Sequence, residues 1–150
     1  MGGLKMTTII ELPKAKKHLA VLWYLYGGVL FIIFFLQSLS GKYGTQVQDA
    51  WSWFLPTILP SLTLITGVLV ADALQANPVT RNIDRFIYTL TLAVSAIYLI
   101  LVSLVIFLQP FFSNDPFVLM KSSNFGLAPF QGIVTACIGV FFTKKESSQK

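Results

Sequence analysis

Charge is what this sequence has least of. Only 11% of its 150 residues are Asp, Glu, Lys or Arg, where soluble domains carry roughly 25%. Reacting groups are as sparse: one histidine, one cysteine and six carboxylates are scattered along the chain. A lone cysteine, Cys137, excludes an intrachain disulfide and a thiolate metal cluster. Lying inside an apolar run, it reads as an inert packing thiol. There is no Ser/His arrangement for acyl transfer, no HExxH, no CxxC and no glycine-rich phosphate loop. Catalysis needs convergent groups. None converge here, so no catalytic residue, cofactor or metal site is expected and the chain reads as non-enzymatic. The net charge of +5 comes without an Arg-rich run or interleaved aromatics, which argues against a nucleic-acid partner.

What the chain has in abundance is apolar length. Hydrophobic residues make up 55% of it and the mean hydropathy is +0.72. A hydrocarbon core about 30 Å thick needs roughly 20 apolar residues of helix. Four windows approach that size: 19–39, 54–74, 86–108 and 128–143. The first three are long enough to cross; the fourth is shorter and less apolar, and by length alone suits a re-entrant segment as well. Because unsatisfied backbone in lipid leaves only helices or closed barrels, and these runs do not alternate, the fold expected is all-α.

Basic residues decide the fourth window. Lys5, Lys14, Lys16 and Lys17 precede the first span, Arg81 and Arg85 lie between the second and third, and Lys144, Lys145 and Lys150 follow the fourth. Only Lys42 and Lys121 occupy the other two connectors. Under the positive-inside rule this needs an even number of crossings with both termini cytoplasmic. The organisation is then a cytoplasmic lead (1–18), a four-helix transmembrane domain (19–143) and a cytoplasmic tail (144–150), in a cell (inner) membrane. The Lys14–Lys17 cluster, the run after it and Ser38-Leu39-Ser40 resemble a signal peptide, but the run is too long and too aromatic for cleavage to be expected. Met6 stands where myristoylation wants Ser or Thr.

An internal echo runs at an offset of 72 residues: Phe35-Leu36-Gln37 with Phe107-Leu108-Gln109, Thr63 with Thr135, and Gly67-Val68 with Gly139-Val140. A duplicated two-helix hairpin would produce it, as would chance between two apolar segments. The connectors differ. Residues 40–52 are polar and end at Trp51 and Trp53, which suit a headgroup belt. Residues 109–127 are greasy around the turn signal Ser113-Asn114-Asp115-Pro116, and read as a loop lying in the interface, covering the bundle or meeting another subunit.

The second span carries Pro56 and Pro60, each lacking a backbone donor. If the helix starts near Trp53 to Leu55, Pro56 sits in its first turn at little cost and only Pro60 perturbs it. Thr57 and Ser61 are placed to help re-satisfy the backbone. A loosened, carbonyl-bearing turn facing water is the alternative to a simple kink. Small and hydroxyl residues recur at helical spacing: Pro60, Thr63, Gly67 and Ala71 on the second span; Thr91, Ser95 and Tyr98 on the third; Gly132, with Thr135 and Gly139 beside it, on the fourth. Such faces let helices approach closely where lipid gives no hydrophobic drive, and are read as packing or pore faces. Asp72, the one acid inside a span, is expected to pair at the interface with Arg81 or Arg85, and His18 to be solvated.

These features point to a subunit of an oligomeric membrane assembly, most concretely a passive pore. The alternative is a non-conducting anchor or accessory subunit. Expected partners are membrane lipids and further copies of the chain, with a membrane or cytoplasmic protein under the second reading. The topology makes a direct prediction: a reactive tag placed after Thr143 is shielded from impermeant reagents applied outside intact cells, and labelling there would refute the four-crossing arrangement.

Overall fold

The computed structural model describes residues 9–74, 82–112 and 115–143; for Ile9, Asn82, Phe112, Pro116 and Thr143 only the backbone is described. Expectations about the tail lysines, Arg81, Ser113 and Asn114 fall outside the described residues. A strand β1 (Ile9–Glu11) leads into α1 (Leu12–Leu39), a short 3-10 turn (Gly44–Gln46) and α2 (Val47–Ala73). A second strand β2 (Asn82–Asp84) leads into α3 (Arg85–Phe112) and α4 (Pro116–Thr143). All four helices are long and apolar enough to cross a membrane. This is a small helical membrane protein with one two-stranded ribbon.

The helices outrun the expected windows because capping and burial, not freedom from charge, set their ends. Pro13 lies in the first turn of α1, where its missing donor costs little, and Leu12, Ala15 and Leu19 are buried at helical spacing before the apolar run begins. α2 starts at Val47, with Asp49 in its first turn, where a carboxylate complements the helix dipole. Its residues Ala50, Trp53 and Phe54 then pack inward. Pro56 is therefore an interior residue, not a first-turn one.

The fourth helix corrects the sequence reading most. Residues 116–127, expected as a greasy loop, are helical. Asp115 Oδ1 accepts a hydrogen bond from the Phe117 backbone N–H at 2.9 Å, a capping arrangement, with Pro116 immediately inside the helix. Met120 and Leu127 are buried, while Lys121 is exposed. A charge on the outward face does not interrupt such a helix. At 28 residues α4 is about 42 Å long, ample for a crossing, so a short re-entrant segment is excluded.

The helices form a ring in the order α1, α2, α4, α3, with α4 packing most extensively against α2 and α3. The ribbon pairs Ile10 with Ile83 in antiparallel register, which puts the starts of α1 and α3 at one end. The same end holds the close of α2, through Lys16 and Asp72, and the close of α4, through Lys16 over the Phe142 ring. The bundle thus runs up, down, up, down. Lys14, Lys16, Lys17 and Arg85 gather at one end and Lys42 and Lys121 at the other. The strands and the helices α1 and α3 begin 73 residues apart, whereas α2 and α4 begin 69 apart. The elements do not keep the uniform 72-residue register of the sequence echo.

An aromatic cluster packs in the core away from the basic end. Phe34 and Phe54 stack with centroids 4.3 Å apart, Tyr43 stacks on Phe34 at 5.1 Å, and Trp51 meets Phe34 edge-on at 5.1 Å. Offset and edge-to-face arrangements of this kind add to simple burial. Gly41 and Gly44 adopt positive φ, 77° and 49°, and turn the chain so that Tyr43 reaches the stack; a side chain at either would be strained. Phe34→Ala should lower stability by about 3–5 kcal/mol, read as a fall in thermal midpoint of the purified protein in detergent, with an exposed control such as Leu25→Ala nearly unchanged.

Candidate functional site

The two prolines of α2 organise the site. A proline at position i denies the carbonyl at i−4 its helical donor, so Pro60 frees Pro56 O and Pro56 frees Ser52 O. In lipid such a carbonyl needs another partner. Pro56 O finds it on α4: Gln131 Nε2 donates to it at 2.7 Å and to Thr57 O at 3.1 Å. From α3, Tyr98 donates its hydroxyl to Thr57 O at 2.9 Å. Thr57 in turn donates to Trp53 O at 2.6 Å. Three helices therefore meet at one broken turn. The Thr57 hydroxyl thus serves Trp53 O, which no proline frees, and neither of the two released carbonyls; Ser61 Oγ is buried without a hydrogen-bond partner among the described residues.

The pattern recurs on α3. Pro110 frees the carbonyl of Ile106, and Lys42 Nζ, from the α1–α2 connector, donates to that oxygen at 3.4 Å. Burial holds the Lys42 ammonium below its ordinary value and lifts the neighbouring Tyr43 phenol above its own. Neutral Tyr43 donates to Gln37 Oε1 at 2.7 Å. Gln109, one residue before the proline, is fully buried.

Beside the α2 break lies a cavity of about 310 Å³. Trp53, Thr57 and Tyr98 form its buried floor, and Ser52, Asn124 and Gln131 are among its outer walls. Trp53 Nε1 has no partner among the described residues. A second, larger groove of about 560 Å³ between α3 and α4 is almost wholly apolar, lined by Leu101, Leu104, Leu108, Leu119 and their neighbours.

The candidate residues divide in two. Thr57, Ser61, Thr91, Ser95 and Tyr98 are buried in the bundle, on facing stripes of α2 and α3. Pro60, Thr63, Gly67 and Gly132 are exposed on its outside, and Thr135 and Gly139 are half-buried. The Pro60, Thr63, Gly67, Ala71 face thus turns away from the chain's own neighbours, and the inward face of α2 runs through Trp53, Thr57, Ser61 and Ile65. In lipid both faces of a helix meet apolar surroundings, so composition alone gave no sense of direction. Sequence reasoning missed Gln131 and Lys42. An amide inside an apolar span, in a chain whose prolines leave carbonyls unmatched, was the available signal.

The expected ion pair also has another partner. Among the described residues Asp72 binds Lys16, with Nζ to Oδ2 at 2.6 Å; Arg85 is exposed and outside this pair. The early start of α1 supplies this partner, because it carries Lys16 onto the bundle, only 7% exposed, where a charge needs a counter-ion. His18 is exposed, with its Nδ1 3.4 Å from the Tyr88 hydroxyl.

No group of three or more potential metal ligands occurs among the described residues. The arrangement supplies hydrogen-bond donors and acceptors around one cavity. Comparison with protein-family models, curated proteins and solved structures returns no match.

The broken turn predicts a coupled pair of effects. Gln131→Leu should cost about 1–2 kcal/mol by leaving Pro56 O without a donor. In a Pro60→Ala background, where residue 60 supplies its own N–H, the same change should cost less than half as much. Equal costs in both backgrounds would show that the Gln131 bond does not compensate the proline.

Proposed function

We propose that this chain is a non-enzymatic subunit of an oligomeric membrane assembly, and in the narrower form a passive pore built between copies rather than through one bundle. One observation carries the assembly reading. Gly67 and Gly132 are exposed in transmembrane helices, and a Cβ built on either meets nothing within 4 Å. Glycine in a helix interior costs up to about 1 kcal/mol relative to alanine, and no neighbour within the chain requires it at these positions. Close approach of a second chain supplies the reason, since slim helix faces are how membrane helices associate.

Placement of the pore between copies rests on the centre of the single bundle. Trp23, Phe34, Tyr98, Val102 and Ile106 fill it and are fully buried. Thr63 and Thr66 give the outer face of α2 a mild polarity. A second reading, a non-conducting anchor for another protein, is favoured by how those hydroxyls are used: Thr63 bonds back to Leu59 O at 2.9 Å and Thr66 to Leu62 O at 2.6 Å, which leaves them little to offer a passing ion. In either reading the basic end faces the cytoplasm of a cell (inner) membrane.

Cysteine crosslinking in membranes tests the assembly, with Cys137→Ser as background. Gly67→Cys and Gly132→Cys should give crosslinked oligomer on oxidation, and Val29→Cys, exposed on α1, should not. Gly67→Leu should weaken association by more than about tenfold. Liposomes holding the oligomer should leak ions, with Thr63→Val altering the leak. Sealed liposomes with intact oligomer would leave the anchor reading in place of the pore, and a monomer throughout would remove both the interface and the pore between copies.

A further inference from the structure

The cavity beside the broken turn has a chemistry that packing does not explain. Its floor is set in protein: Trp53 is 4% exposed, Thr57 5% and Tyr98 0%. Ser52 and Asn124 are exposed, so it opens outward. The nine side chains lining it include no charged group, which disfavours an ion in a medium of low dielectric constant. Its hydrogen-bonding capacity is nevertheless unspent. Gln131 engages its amide nitrogen with Pro56 O and Thr57 O, which leaves its amide oxygen to accept. Pro56 removes the helical donor of Ser52 O, and the Asn124 amide offers both a donor and acceptors.

Donors and acceptors thus stand together around a neutral space of about 310 Å³, at the small end of the usual range for ligand pockets. A hydroxyl group both donates and accepts, so several hydroxyls on a compact, uncharged body match this wall. Depth agrees with the chemistry. Ser52 lies about one and a half turns from the start of α2 and Asn124 about two turns from the start of α4, and these helices overhang a hydrocarbon core of about 30 Å. The opening therefore falls near the boundary of headgroup and hydrocarbon.

We propose that this cavity is a binding site for a neutral polyol, either the glycerol or sugar headgroup of an uncharged lipid or a small free polyol from the water outside. Gln131 Oε1 and Ser52 O accept from it, and the Asn124 amide donates to it and closes over the opening. The site lies within one chain and does not depend on assembly, so it stands or falls apart from the oligomer.

The test uses the full chain in phosphatidylcholine nanodiscs and follows the indole N–H resonance of Trp53, identified by its loss in Trp53→Phe. Separate arms add a galactosyl diacylglycerol, free glycerol, or phosphatidylserine. A saturable shift in either neutral arm supports the site: the glycolipid arm alone assigns a headgroup, the glycerol arm alone a free solute, and both together a site open to either. Asn124→Leu, which leaves the Gln131 bond to Pro56 intact, should weaken binding at least about tenfold. Ala128→Phe, which fills the space beside it, should abolish the shift. No saturable shift in either neutral arm, an equal shift with phosphatidylserine, or undiminished binding by both variants would overturn the proposal.

Discussion

A helix carbonyl within lipid needs a hydrogen-bond donor, and a proline inside the helix removes one. That tension organises the half of the molecule remote from the basic residues. Pro60 frees Pro56 O and Pro110 frees Ile106 O, and each oxygen receives a side-chain donor from a different element: Gln131 of α4 in the first case, Lys42 of the α1–α2 connector in the second. Each repair is also a tether. A group that would be a defect in an isolated helix becomes the point at which a neighbour is held in register. Tyr98 strengthens the first tether, since its hydroxyl reaches Thr57 O while its ring lies 6.2 Å from Trp23 and 6.0 Å from Phe130.

The opposite end is held by different means. There the Ile10–Ile83 ribbon joins the starts of α1 and α3, and the Lys16–Asp72 pair joins α1 to the end of α2. With Lys16 almost wholly buried, its charge is matched by the carboxylate and by the face of Phe142, 5.4 Å away. Between the two ends the contacts are mainly apolar, with the Tyr26 and Ser103 hydroxyls bonded at 2.8 Å across α1 and α3. The bundle therefore combines polar fastening toward its ends with a mainly apolar middle, and Gly67 and Gly132 are turned outward. The exposed Gly67 and Gly132 are what the proposed assembly between copies rests on.

Much of this was legible in the sequence. Apolar length announced four helices, and the sorting of lysine and arginine matches the gathering of described basic residues by end. Helix limits were less legible because the search followed charge-free windows, and Lys121, Asp49 and Lys16 are charges that helices tolerate at an overhang or with a partner. The direction of each small-residue face was not legible at all. A soluble helix reveals its inner side by contrast with water, and lipid removes that contrast: Thr63 and Ser61 lie two residues apart, yet one is exposed and the other buried. The ribbon is too short to leave a period, and the Gln131 bond needed a fold to bring residues 56 and 131 together.

The central claim is that a neighbouring helix satisfies the carbonyl that Pro60 releases. Infrared spectroscopy of the protein in bilayers with an isotope label confined to the Pro56 carbonyl reads this directly, because hydrogen bonding lowers the stretching frequency. The account predicts a hydrogen-bonded frequency in the native chain that rises to a free value in Gln131→Leu. A free frequency in the native chain, or one that Gln131→Leu leaves unmoved, would contradict it.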